Sequence, residues 1–356
     1  MGIYSALPIL HVRMKAIRKV KPGAGFEMVD VGVPKPEEGE VLVKVKATSM
    51  CGTDIHIYNW EAPWSEGRLV PPKTLGHEVC GEVVELGKGV KGLAAGDNVS
   101  AESHIYCGKC DLCRAGHGHI CRRLQFFSVD TDGFWAEYAI MPEQNAWKNP
   151  EGMEPEIATL QESMGNSVYT VSESNVRGKD VAIFGLGSTG LFATGIAKAM
   201  GARKVIVVGG TKMHLDIAKK MKADVLVNRH DRDPLKEIME ETEGRGPDVV
   251  LEMSGSEQAL QQAVQAVKPT GMVSALGLPT KQVTLDVSKN IILKDVTFRG
   301  IYGRRIWDTW KITSELLRDK KVDIRPVITH RLRLEDFEKG VQAMKSGESG
   351  KVVMFP

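Results

Sequence analysis

No apolar run in this 356-residue sequence is longer than a strand, so nothing in it predicts a segment that spans a bilayer. A charge excess is missing too. Lys and Arg number 47 against 45 Asp and Glu, and a formal net charge of +2 argues against nucleic acid or an anionic membrane as partner. There is no low-complexity stretch and no repeat of solenoid length. The N-terminal "MGIYSALPILHVRMKAI" carries no charge ahead of its short apolar run, unlike a secretory signal, so residues 1–13 read as an extension before Met14. Aromatic residues are sparse at 6%, and cysteines number only six. Four of those six fall within fifteen residues, in a chain too long to need disulfides for a core. Metal ligation in a reducing cytoplasm fits them better.

The length exceeds the size at which single cores stop growing, so two domains are expected. The first half is β-rich: "EVLVKVKATS" (40–49) and "HEVCGEVVELG" (77–87) are valine-dominated, with Gly and Pro at their borders. The texture changes near residue 178. From "KDVAIFG" to "GMVSALG" short buried strands alternate with helical stretches of 10–15 residues, the pattern of βαβ units and a parallel sheet. The last fifty residues predict helices around "WDTWKITSELLRDK" and "LEDFEKGVQAMKSG" and a final strand "KVVMF".

Within the βαβ region "FGLGSTG" places Gly185, Gly187 and Gly190 between a predicted strand and a predicted helix. Such glycines allow a tight turn and close approach of a pyrophosphate to the helix N-terminus, the signature of a dinucleotide site. An NAD reader carries an acidic residue about 20 positions further on. Here that position holds Gly209, followed by Gly210, Thr211 and Lys212, with His214 nearby. No carboxylate stands there to repel a 2′-phosphate, so NADP(H) is expected over NAD(H), with Thr211 and Lys212 as candidate contacts.

"CGKCDLCRAGHGHIC" sets Cys107, Cys110, Cys113 and Cys121 on one short loop, the pattern of a closed, structural zinc site. His117 and His119 in the same lobe read as solvated loop residues. Cys51 stands apart, and His77 and Glu78 follow it by some 25 residues. A Cys, a His and a carboxylate can form a three-ligand zinc site with one position open, where a bound hydroxyl loses its proton near neutral pH. Cys80, among valines, reads as a buried small hydrophobe.

Cys51-x-Thr53-x-x-His56, Gly76-His77-Glu78-x-x-Gly81, the four-cysteine lobe and the late glycine loop occur in that order. Together they resemble the zinc-containing medium-chain alcohol dehydrogenase family, over nearly the whole chain from about residue 14. The resemblance implies an α/β fold: a GroES-like β-rich catalytic domain (1–165 and 305–356) with a zinc lobe at about 104–122, and a Rossmann doubly wound parallel sheet (166–304). It implies two Zn²⁺ per chain, a small-molecule alcohol substrate and a homotetramer. It places the catalytic zinc on Cys51 and His77 with Glu78 and Glu162 as carboxylate ligands, and a proton relay at Thr53 and His56. The stretches "CGTDIHIYNW", "ESHIYCGKC", "LQESMGNSV" and "GIYGRRIWDTW" are similar to a branch acting on the secondary alcohol of L-threonine. That branch implies that His104 and Arg304 shape the far end of the pocket. Arg304 is also a fork for a carboxylate or a cofactor phosphate, and Arg305 is not distinguished from it. A sugar, polyol or butanediol substrate is the alternative expectation.

Overall fold

Register, more than composition, decides where the first half of the chain puts its chemistry. The computed structural model describes residues 13–62 and 64–356. The extension expected at residues 1–13 lies outside them except for Arg13, which already opens the strand Arg13–Lys19. Strand Glu40–Ser49, continuously apolar on its inner positions, pairs antiparallel with Glu78–Leu86 on one side and Tyr138–Pro142 on the other. Around it a seven-stranded sheet forms, and the last strand of the chain, Lys351–Phe355, joins it antiparallel through Val353 and Met354. The C-terminus thus returns to the β-rich half.

The second half is a six-stranded sheet in which every pair is parallel. Its spatial order is Val225–Asn228, Lys204–Gly209, Asp180–Phe184, Val249–Glu252, Met272–Ala275 and Thr297–Gly300. All five residues of Asp180–Phe184 are buried, which is why it reads as an unbroken apolar run. The order reverses between Asp180–Phe184 and Val249–Glu252, and the crevice at their C-terminal ends is where this fold receives a ligand. The edge strand Thr297–Gly300 had no signal in the sequence, because its four residues are exposed or half-buried and carry no apolar pattern.

Helix Gln161–Glu173 joins the halves. Its Met164, Val168 and Val171 belong to one buried cluster with Ala47 and Val353 of the seven-stranded sheet and Val181, Ile183 and Phe192 of the parallel-sheet half. The sequence reading also missed this helix, since its buried face is built from Gln161, Glu162, Ser163, Ser167 and Thr170 as much as from apolar residues. Among the described residues no helix is long and apolar enough to cross a membrane.

Candidate active site

The antiparallel register that pairs Ser49 with Glu78 sets the end of one strand beside the start of the next. Cys51, two residues beyond Ser49, is the N-cap of helix Gly52–Asn59 and has extended backbone angles there. His77 precedes Glu78. The side-chain ligand atoms of Cys51, His77 and Glu78 consequently lie within 4.8 Å of one another.

The electrostatics of this set favour a cation. Asp54, on the first turn of the same helix, accepts the Cys51 N–H at 2.8 Å and brings its other oxygen within 3.6 Å of His77 Nδ1. That second oxygen is buried with no hydrogen-bond partner of its own. Burial raises the Asp54 carboxyl to about 6. Burial also opposes a charge on His77, yet Asp54, Cys51 and Glu162 outweigh it and push the imidazole up to about 10. A pocket that binds a proton so firmly is suited to a divalent ion in its place, and thiolate, imidazole and carboxylate are zinc donors. A carboxylate behind a ligating histidine fixes the ring's orientation. Asp54 was not singled out by sequence, although it lies inside the "CGTDIHIYNW" motif.

The two candidate carboxylate ligands are each held by a buried base. Glu78 is paired with the fully buried Lys351 from the last strand, and also accepts from Ser49 and, at 3.1 Å, from Ser163. Lys351 is anchored at 3.0 Å on the Met50 carbonyl, and Glu78 keeps it protonated against the effect of burial. Glu162, on the first turn of helix Gln161–Glu173, accepts from Ser103 at 2.6 Å and pairs with Arg304. Burial opposes its charge, but Arg304 holds it below the usual carboxylate range. Glu162 is not among the three groups whose ligand atoms converge.

Arg304 has a different partner set from either one expected. It is 1% exposed and its guanidinium meets both Glu102 oxygens at 2.8 Å, the Ser103 hydroxyl at 2.7 Å, Asn166 at 2.9 Å and Glu162. Its fork is spent on protein carboxylates, which removes it from the dinucleotide contacts. Arg305 is half-buried, so the inward-pointing member of the pair is Arg304. Glu102 also accepts from Trp310 Nε1 at 2.7 Å and pairs with His104 Nδ1 at 2.6 Å. Burial raises the Glu102 carboxyl, but Arg304 and then His104 outweigh it and bring it down to about 2. His104 is therefore buried and fixed in orientation, its ring 4.5 Å from that of Phe126 and 5.9 Å from that of Tyr302.

Thr53 and His56 lie on helix Gly52–Asn59, three residues apart and so on one face. Thr53 is half-buried, whereas His56 is exposed and its Nδ1 meets Glu61 at 2.6 Å.

In the cysteine lobe the four thiols gather with Sγ separations of 4.0 Å (Cys107–Cys113), 3.4 Å (Cys110–Cys113) and 3.9 Å (Cys110–Cys121). A zinc tetrahedron with bonds of about 2.3 Å has edges of about 3.8 Å, so the set fits the ion. Without a cation the thiols split. Backbone N–H groups, that of Lys109 first, draw Cys107 down to about 5, while burial and its neighbours push Cys113 up to about 12. His119 departs from expectation: it is buried against Tyr169, and desolvation lowers it to about 4. It is a packing residue rather than a solvated one. Cys80 is fully buried and its thiol pushed up to about 12, as a small hydrophobe should be.

The glycine loop fits a pyrophosphate. Gly185 has φ +90°, and a Cβ there would meet Ser254 at 2.6 Å. A Cβ on Gly190 would stand 1.9 Å from the Gly185 carbonyl, so the helix could not pack on the strand. Gly187, the N-cap of helix Ser188–Ala199, faces open space, where backbone N–H groups are accessible to an anion. Gly209 ends the second strand, with Leu186 2.6 Å from where its Cβ would be. Thr211 caps helix Lys212–Lys220 and bonds His214, whose Nε2 reaches the Ser349 carbonyl at 2.9 Å; Lys212 pairs with Asp216 at 2.6 Å.

Residues 37–151 match the alcohol dehydrogenase GroES-like domain, and residues 188–319 match the zinc-binding dehydrogenase domain. An L-threonine 3-dehydrogenase of Pyrococcus horikoshii is 50% identical over 344 residues, covering 96% of this chain and 99% of that protein. The chain belongs to the zinc-containing medium-chain alcohol dehydrogenase family. Two solved structures are similar throughout. One is a zinc-binding dehydrogenase of Sinorhizobium meliloti bound to NADP, with TM-score 0.90 and 28% identity over 97% of this chain and 100% of that one. The other is an alcohol dehydrogenase of Escherichia coli complexed with NADH, with TM-score 0.89 and 25% identity over 97% and 99%. As a medium-chain dehydrogenase the protein is an oxidoreductase that uses zinc and a nicotinamide cofactor.

Proposed function

We propose that this dehydrogenase oxidises the β-hydroxyl of L-threonine to 2-amino-3-oxobutanoate, with NADP preferred over NAD. The observation that carries the substrate is the 50% identity, over nearly the full length of both chains, to an L-threonine 3-dehydrogenase. Zinc supplies the Lewis acid that lets the substrate hydroxyl ionise, and nicotinamide is the hydride acceptor. Cys51, His77 and Glu78 are the ligands of the catalytic ion, and Asp54 orients His77. Glu162 is a reserve carboxylate that Arg304 and Ser103 hold until it is needed. Thr53 is the inner and His56 the outer station for the hydroxyl proton, and Glu61 draws the exposed imidazole toward solvent. Glu102 fixes His104 so that the ring, with Phe126 and Tyr302, walls the substrate pocket. The four-cysteine lobe holds the second zinc, as structure.

NADP preference is supported by Gly209, which offers no carboxylate, and by Leu186, whose side chain fills the space an acidic residue would need. A homo-oligomer is supported by the open edge strand Thr297–Gly300, where Phe298 is exposed together with Leu278, Ile292 and Leu293 of the flanking segments. Light scattering on the full chain tests that point, and a monomer would remove it. Steady-state turnover of L-threonine, glucose, sorbitol and 2,3-butanediol with both cofactors tests the rest. Turnover of L-threonine well above the others, faster with NADP, is expected. Activity on a sugar with none on threonine would overturn the substrate.

A further inference from the structure

The two contacts expected for a 2′-phosphate are engaged within the protein: Thr211 caps helix Lys212–Lys220 and Lys212 pairs with Asp216. We propose that Arg229, lying across Gly210, reads the 2′-phosphate of NADP and so sets the cofactor preference of this enzyme. The inference rests on the NADP reading given above and names the residue responsible for it.

The parallel ladder fixes its location. Gly209 pairs with Asn228 at the last rung between strands Lys204–Gly209 and Val225–Asn228, and the Arg229 N–H donates to the Gly209 carbonyl at 2.9 Å. Arg229 is therefore the first residue past the end of strand Val225–Asn228, directly beside Gly209, the position where an NAD reader carries its ribose-binding carboxylate. Its side chain folds back over Gly210. A Cβ built on Gly210 would be 2.6 Å from the guanidinium carbon and 2.8 Å from each terminal nitrogen. Three nearly equal distances mean that the flat face of the guanidinium rests on the glycine, leaving the N–H edge free to point elsewhere. Only glycine offers that bed.

The group is also uncommitted. Arg229 is exposed, and among the described residues its guanidinium has neither a hydrogen-bond nor an ion-pair partner. The acid closest in sequence, Asp231, is held by Asn228 Nδ2 at 2.6 Å. An unpaired, pre-oriented guanidinium presents a bidentate fork that matches a phosphate monoester and has nothing to offer a ribose hydroxyl as acceptor. Sequence did not reveal it, because Arg229 is 20 residues beyond Gly209 and reaches it only through strand pairing.

Calorimetric titration of the zinc-loaded full chain with adenosine 2′,5′-bisphosphate and with 5′-AMP tests the proposal without turnover. The wild-type chain should bind the bisphosphate tighter. Arg229→Gln should weaken bisphosphate binding about 10- to 100-fold and leave 5′-AMP within about twofold, as expected for loss of a charge-assisted fork. Gly210→Ala should weaken only the bisphosphate, by a smaller factor, because the added methyl lifts the guanidinium. If the wild type prefers the bisphosphate and Arg229→Gln retains that preference, Arg229 is not the reader while the NADP reading survives. If the wild type binds both ligands alike, the NADP reading fails and the proposal with it.

Discussion

The four thiols of the Cys107 lobe come from fifteen consecutive residues, and Cys107, Cys110 and Cys113 are only half-buried. Cys51, His77 and Glu78 come instead from two strand ends and a helix cap, with charge behind them supplied from residues 54, 162, 304 and 351. In the lobe, backbone N–H groups draw the Cys107 thiol down, and a metal ion held by the four thiols would do the ordering. At the buried centre the fold does the ordering, and Asp54, Lys351 and Arg304 balance charge that water cannot reach. The contrast predicts that the local site can be lost without losing the reaction, and the buried site without losing the fold.

Cys51→Ser breaks that comparison most sharply. Turnover should fall about 10³-fold or more, since a Lewis-acid site is worth several kcal/mol of transition-state stabilisation, while the thermal midpoint stays near wild type. Full activity in this variant would remove Cys51 from the catalytic set. Cys107→Ser should do the reverse: one zinc fewer per chain by metal analysis and a midpoint lower by about 5–10 °C, with residual folded enzyme still turning over. An unchanged midpoint would mean that the lobe is not a structural metal site.

The buried charges give a pH test. Glu102 is held at about 2 in the folded protein against 4.5 for a free carboxyl, so its contribution is full above pH 4.5 and is lost as pH falls from 4.5 toward 2. The difference in thermal midpoint between wild type and Glu102→Gln should shrink steadily across that window. A constant gap would show that the Arg304 and His104 pairing contributes nothing. Asp54→Asn is the mildest change. It keeps the shape and removes the charge behind His77, so zinc affinity in a chelator competition should drop about 10-fold with little change in stability. Equal affinity would make Asp54 a helix-cap residue only.

Much of this was legible before folding. The alternation of strands and helices from residue 178 onward needed only local hydrophobic period, and the observed elements Asp180–Phe184 through Met272–Ala275 follow it closely. The cysteine lobe was legible because its spacing is its geometry. Gly185, Gly187 and Gly190 could be read because a tight strand-to-helix turn is a property of adjacent residues. The helices Gly52–Asn59 and Gln161–Glu173 were missed, since the polar residues they bury hide any amphipathic stripe. His119 was misread because nothing in its neighbours announces Tyr169, fifty residues away, as its cover.

The sequence by itself determined the chemical inventory: which thiols, imidazoles and glycines exist, at what local spacing, and that residue 209 is not acidic. Tertiary structure alone decided how charge is distributed among them. It paired Lys351 with Glu78 across 273 residues and gave Arg304 to Glu102 and Glu162. It also laid Arg229 on Gly210. Ion pairs and their desolvation depend on distance in space, which strand register and helix packing set, and sequence separation carries no record of it.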